Sequence, residues 1–307
     1  MADLLETEVN QLLLRLYREA KGRPADQFKG WAIAQLQDLV GFDSAFWFEG
    51  YPGTRVQTHT EFLFNMPEEM MVNYFAEGIA EEDFLLQATL AQPGTTINTR
   101  DLMPREELVR LRAYQEHCRH FGMEHAMSTT LVDDRLGLHT FFSVFQSDPE
   151  RPFGERERRI KEIASPHMVE AFRTSLFFHL SRLDLDEGAA SQGLALVDQG
   201  GVVYQATDRF TDLLVRLWPE WEGPRLPDEL LRELPVSGRI RLRGLLFVTQ
   251  LAGSDLLMLR AREPDRLDRL SPSERRVAAA VASGLSYKGT ARELGISPST
   301  VRADTRR

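Results

Sequence analysis

The chain of 307 residues has one cysteine, Cys118, so no disulfide can form within it and a four-thiolate zinc site is excluded. Its apolar runs are short. The stretch 277–282 is typical, well below the ~20 residues that span a bilayer. The opening MADLLETE is acidic and lacks the basic and apolar regions of a secretory signal, so the expectation is a cytoplasmic protein with no membrane partner. Also missing are a Gly-x-Ser-x-Gly elbow, a phosphate-cradling glycine loop and a His-Glu-x-x-His pair. No motif therefore speaks for an enzyme, and none calls for a cofactor. The sequence shows neither an internal repeat nor a low-complexity tract.

What is present is ordinary for a globular protein: 42% hydrophobic and 27% charged residues, in a length that suits two or three domains. The net charge of -9 is unevenly placed. Residues 270–307 hold seven Lys/Arg against three acids, a net +4 that leaves -13 to residues 1–269. A basic tail on an acidic body implies a polyanionic partner for the tail alone.

Hydrophobic spacing predicts helices over residues 3–20 and 26–40, then a hairpin of 44–49 and 56–64 joined by Gly50-Tyr51-Pro52-Gly53. Helices follow over 67–78, 82–91 and 106–121. A second hairpin, 125–133 and 138–146, precedes a long helix over 156–183 that should kink at Pro166. Residues 184–191 have linker composition. A smaller unit then reads as strands 193–198 and 202–205, a helix 207–218, and a last hairpin of 239–250 and 254–261. This order predicts an α+β protein: an α-β-α sandwich over 1–183, a small α+β module over 192–261, and an all-α end over 266–307.

The tail carries the sharpest signals. Ser271-Pro272-Ser273-Glu274 is a capping box with proline at the first helical position. Gly284 ends that helix, Ser286 starts a second that ends at Gly295, and Ser297-Pro298-Ser299-Thr300 caps a third. Two short helices joined through Gly295-Ile296-Ser297 form a helix-turn-helix pattern. Its third helix would present Ser299, Thr300 and Arg302 to base edges, with Lys288, Arg292 and Arg306 on phosphates. Residues 270–275, 282–288 and 291–302 together resemble the LuxR-type helix-turn-helix. The resemblance implies a DNA-binding end of a bacterial transcription regulator and, with it, a homodimer. The sequence departs from the family at Gly289, which replaces an acid, and at Thr290, which replaces an aliphatic residue. The family's fourth, dimerising helix would follow Arg302, where this sequence has five more residues, so the expectation is a shortened helix-turn-helix.

By element order, residues 1–183 look like a GAF-type or autoinducer-binding-type sensor, and 192–261 like a reduced PAS-type module. The aromatic and Met-rich set that could line a ligand pocket is Phe46, Trp47, Phe48, Phe62, Phe64, Tyr74, Phe75, Phe84, Met127, Phe141, Phe142 and Phe145. From it, Trp47, Phe62, Phe64, Tyr74, Met127 and Phe142 are chosen as ligand-binding, with Asp83 and Thr129 as polar partners. The same residues can also be read as plain core, the commoner place for aromatics alternating along strands. Acyl-homoserine-lactone sensors follow a comparable tyrosine with Asp-Pro; Asp83-Phe84 stands here instead, which leaves an aromatic or fatty small molecule as the expected ligand. His117 and His120 share a helix face, but no completing ligand set surrounds them, so no metal is expected. The stripe Ile160, Ile163, Met168, Phe172 and Leu176 reads either as a dimer seam or as a cover for the sheet. The expected function is a ligand-responsive, DNA-binding regulator that senses a small hydrophobic or aromatic molecule. The alternative is a ligand-binding module with a defective DNA-binding end that titrates a partner protein.

Overall fold

The computed structural model describes residues 2–51, 57–181, 192–251, 256–264, 268 and 270–305. The predicted turn at Pro52-Gly53, the linker 184–191 and Arg306 lie outside the described residues. The α+β order is as expected, in three successive units.

The first unit opens with α1 (Ala2–Glu19) and α2 (Ala25–Val40), followed by β1 (Ser44–Tyr51) and β2 (Gln57–Phe64). Next come α3 (Glu69–Ala76), α4 (Ile79–Glu82), α5 (Phe84–Ala91), β3 (Thr96–Asn98), α6 (Thr99–Leu102), α7 (Arg105–Leu108) and a π-helical turn at Tyr114–Cys118. β4 (His125–Asp133), β5 (Leu138–Gln146) and α8 (Glu155–Ser181) complete it. The sheet is antiparallel in the order β2-β1-β5-β4-β3. Successive side chains on a strand point to opposite faces. Trp47, Met127, Phe142 and Val144 therefore share one face with Phe28, Ile33, Ile160, Met168 and Phe172 of α2 and α8. Phe46, Ala126 and Phe145 share the other with Met70, Met71 and Leu85 of α3 and α5. The apolar stripe of α8 is consumed by the first of these cores, so of its two readings the structure takes the cover, not the dimer seam. α8 runs through Pro166 as one helix, and Ser165 Oγ donates to Lys161 O at 2.6 Å beside the lost amide.

The second unit holds β6 (Gly193–Asp198), β7 (Val203–Ala206), α9 (Asp208–Leu217), α10 (Asp228–Glu233), β8 (Gly238–Leu242), β9 (Leu245–Leu251) and β10 (Leu256–Arg262). Its sheet has the order β7-β6-β10-β9-β8. Counted within each unit, both sheets run second, first, fifth, fourth, third: the topology repeats where the sequence does not. Gly193 permits α9 to lie close over β6, since a Cβ there would stand 2.6 Å from Phe210 Cα. Leu136 and Leu138, at the β4–β5 turn of the first unit, belong to the second unit's core with Phe210, Leu230 and Phe247.

Three sequence expectations need correction. The helix over 106–121 is instead the single turn α7 followed by the π turn, where Arg119 N bonds Tyr114 O at 2.9 Å and Met123 N bonds Cys118 O at 2.8 Å. The run 239–250 is two strands, not one. Arg243 and Gly244 both take positive φ, 47° and 84°, and a two-residue hairpin turn of that kind reverses the chain. The short β3 and α10 carry too few residues to show a period, and the sequence reading passed over both.

The third unit is α11 (Pro272–Ala282), α12 (Tyr287–Leu294) and α13 (Pro298–Asp304), packed on Val277, Ala291 and Val301. Glu274 N bonds Ser271 Oγ at 3.2 Å and Ser271 N bonds Glu274 Oε2 at 2.7 Å, the reciprocal cap expected from the sequence. Gly295 ends α12 in the left-handed region at φ 65°. Thr290 is fully buried, and its Oγ1 finds no partner among the described residues. A buried hydroxyl without a hydrogen bond costs about 1–3 kcal/mol. Thr290→Val, which keeps the shape, should stabilise the chain by about 1 kcal/mol in equilibrium urea unfolding; an unchanged or lowered midpoint would contradict it.

Candidate functional site

A cavity of about 70 Å³ lies between the outer face of the first sheet and the layer formed by α3, α5 and the π turn. That is several times the space one water requires. Phe46, Phe48 and Phe145 form its floor, with Phe46 stacked on Phe48 at 5.3 Å and tilted on Phe145 at 5.6 Å. Met71, Ile79, Phe84, Leu85 and Leu108 make apolar walls. The polar groups are few: Tyr74, Asp83, Thr99, Tyr114, His117, Cys118 and Glu124. An apolar enclosure with a small polar set is the general form of a small-molecule site.

Local structure brings each polar group in. Met70, Met71 and Tyr74 lie one turn apart on α3, so one helix face meets the sheet. Asp83 caps α5 through Oδ1, which accepts from Leu86 N at 2.9 Å, while Oδ2 accepts from Tyr74 OH at 2.7 Å. Burial raises the Asp83 carboxyl against those two bonds. Burial and the Asp83 charge keep the Tyr74 phenol protonated, its ionisation pushed well above the usual range. The π turn sets Tyr114, His117 and Cys118 on one side; such turns gather at functional sites. Tyr114 OH donates to Glu124 Oε2 at 2.7 Å, and Arg105 pairs with the same carboxylate. Burial pulls Glu124 upward, but the bonds from Arg105 and Tyr114 win and hold it below the ordinary carboxylate value. Burial, with the Asp83 charge beside it, pushes the Cys118 thiol up to about 12, so it is an unreactive thiol.

Of the eight residues chosen from the sequence, two, Tyr74 and Asp83, line this cavity. Trp47, Phe62, Phe64, Met127, Thr129 and Phe142 are placed on the opposite face, in or against the core under α1, α2 and α8. The eight were expected to line one pocket; the six on strands face the side of the sheet away from the cavity. That inner face has its own polar centre. Lys161 is fully buried and donates to Thr129 Oγ1 at 2.6 Å and to Phe142 O at 2.7 Å, with its ammonium 4.6 Å from the Phe142 ring. Desolvation drives its pKa well below that of a free lysine. Lys29 and Glu49 lie close by in the core, 3.6 Å apart, with Lys29 Nζ 4.5 Å from the Phe172 ring.

The sequence reading left out His117, Tyr114, Glu124 and Cys118 from its site. Its aromatic set did contain Phe46, Phe48, Phe84 and Phe145, which line the cavity. A signal for the rest was there: Tyr114 and Cys118 fall on the apolar face of the helix predicted over 106–121, and His117 was weighed only as a metal ligand. His125 is not in the cavity lining, and its Nε2 lies 3.0 Å from Pro149 O.

In the third unit, Lys288, Arg292, Ser299, Thr300 and Arg302 are all exposed. Ser299 Oγ and Thr300 Oγ1 lie 2.7 and 2.8 Å from Ser297 Oγ, so both hydroxyls are engaged at the cap of α13.

Burial, and secondarily the charge of His120, lowers the His117 pKa from 6.5 to about 4. Unfolded His117 therefore takes up a proton as pH falls below 6.5, while folded His117 does so only near 4. Stability from this group is complete above pH 6.5 and is lost as pH falls from there to about 4. Urea midpoints measured across that range should slope less steeply in His117→Phe than in the unaltered chain. Parallel slopes would mean that His117 is protonated in the fold.

No protein-family model and no curated protein sequence matches this chain. Solved structures similar to it include the N-acylhomoserine-lactone-dependent LuxR-family transcription factor CepR2 of Burkholderia cenocepacia. That match has 15% identity and a TM-score of 0.41, covering 53% of this chain and 93% of that one. Escherichia coli SdiA is similar over 96% of this chain and 86% of its own, at 16% identity and TM-score 0.41. The LBD domain of VqsR from Pseudomonas aeruginosa matches 55% of this chain and 96% of its own, at 16% identity and TM-score 0.40.

Proposed function

We propose that the protein is a ligand-responsive, DNA-binding transcription regulator that senses a small, mainly apolar or aromatic molecule. The observation that carries this reading is the enclosed aromatic cavity, present in the same chain as a capped three-helix unit with exposed basic residues. Ligand entering the cavity would hold α3, α5 and the π turn against the sheet. It shifts the state of the third unit only as far as its affinity differs between the two states.

In this reading α13 is the recognition helix of a helix-turn-helix, with Arg302 directed at base edges and Lys288 and Arg292 on phosphates. The hydroxyls of Ser299 and Thr300 must leave the α13 cap to reach a base, so they are weaker candidates than Arg302. Arg306 is a further phosphate candidate from the sequence. The reading includes a cytoplasmic homodimer. With the α8 stripe buried, Leu14 and Tyr17 on α1, 57% and 42% exposed, are among several exposed apolar side chains that a second copy could cover.

The alternative, a ligand-binding module that titrates a partner protein, draws on Thr290, whose unpaired hydroxyl weakens the three-helix core. Fluorescence anisotropy on the upstream region of the protein's own gene separates the two. A regulator should lose affinity steeply as salt rises from 50 to 200 mM, as expected when several phosphates are neutralised. Lys288→Ala and Arg292→Ala should each lower the log–log salt slope by about one, whereas Arg302→Ala should relax sequence preference. No binding at low salt by either the unaltered chain or Thr290→Val would favour titration.

A further inference from the structure

The cavity presents several acceptors and, among the described residues, only the weak Cys118 thiol as an unengaged donor, and one of those acceptors is fixed by a neighbouring side chain. His117 is 3% exposed, yet its ring lines the cavity. Its Nδ1 lies 2.7 Å from Asn73 Oδ1. An amide oxygen only accepts, so Nδ1 carries the proton and Nε2 the lone pair. Burial keeps the ring neutral, which preserves that tautomer. Nε2 has no hydrogen-bond partner among the described residues, and it still touches open space.

The stronger donors that line the cavity are committed. Tyr74 OH is spent on Asp83, Tyr114 OH on Glu124 and Thr99 Oγ1 on Ala126 O, while Arg105, outside the lining, pairs with Glu124. Asp83 and Glu124 place two carboxyls at the wall, and among the described residues no unengaged cation faces them. An acceptor that faces the cavity with no protein donor is left to be satisfied by a ligand, and a ligand that lacks a donor leaves it unpaired once the site is filled.

We propose that His117 Nε2 is the specificity-determining acceptor of the cavity. It selects a compact, neutral ligand with an aromatic or apolar body and one hydroxyl or N–H donor, and it excludes carboxylate-bearing molecules of the same shape. The Asn73–His117 pair sets this polarity. The inference rests on the cavity being the ligand site, as in the function proposed above. It narrows the ligand class to exclude fatty acids in their anionic form.

Three single-ring probes of like size test it by calorimetry on the full chain: 4-methylphenol, 4-methylanisole and 4-methylbenzoate. The phenol should bind roughly five- to tenfold more tightly than the anisole, the effect of about one neutral hydrogen bond. The benzoate should bind weakest. In His117→Phe the phenol preference should vanish, and His117→Gln, which can return an acceptor oxygen, should restore part of it. Asn73→Ala, which frees the ring to change tautomer, should shrink the preference without abolishing binding. Equal binding of phenol and anisole, or benzoate binding as tight as the phenol, overturns the inference and leaves the cavity as the ligand site. Failure of all three probes to bind overturns the cavity reading itself, and this inference with it.

Discussion

Each side chain on the central sheet of the first unit has one of two destinations, because the pleat sends neighbours to opposite faces. Helices cover both faces over the middle of the sheet. One face closes around Trp47, Phe142 and the α8 stripe as solid core. The other closes around Phe46, Phe48 and Phe145 but leaves a gap, because the α3, α5 and π-turn layer is assembled from short pieces. A continuous helix such as α8 can place side chains in an even row down a sheet. A layer of one- and two-turn segments joined by bends leaves holes. The cavity follows from that difference in cover, not from any unusual residue on the sheet.

The same alternation explains how far the sequence could be read. That β5 is a strand buried on both faces was legible from its nearly continuous apolar run over 140–145. Which face held the cavity was not, since Phe46 and Trp47 are equally apolar and differ only in parity. The choice of Trp47, Phe62 and Phe142 selected the face beneath the long helices, where Lys161 and Lys29 occupy the polar positions instead. Tyr74 and Asp83 were found because a helix position and a cap position do not depend on sheet parity. The π turn was invisible for a related reason. Its i to i+5 bonds arise from how 105–123 is anchored at both ends, and local propensity does not encode that. The third unit was the most legible part, because its three caps and the Gly295 stop are all local signals.

The buried lysines show how charge enters a core that has no water. Lys29 has Glu49 and the faces of Trp47 and Phe172 around it. Lys161 has a hydroxyl, a carbonyl and the Phe142 ring, without a carboxylate in contact. Desolvation dominates both, and the resulting arrangement ties α2 to β1 and α8 to β4 and β5 by directional bonds where the aromatic contacts alone would permit sliding. The basic residues Lys288, Arg292 and Arg302 of the third unit stand exposed, whereas Lys29 and Lys161 of the first unit are buried.

Leu136 and Leu138 sit in the core of the second unit although they belong to the hairpin of the first. The turn they flank cannot open to solvent without uncovering Phe210 and Phe247 as well. In terms of native-state opening, the boundary between cooperative units therefore does not fall in the chain between α8 and β6. It runs through space, and β4–β5 straddles it. The strands that carry Ala126 and Phe145 beneath the cavity continue to this turn, so amide exchange at Leu136 and Leu138 is set by the openings of two cores at once.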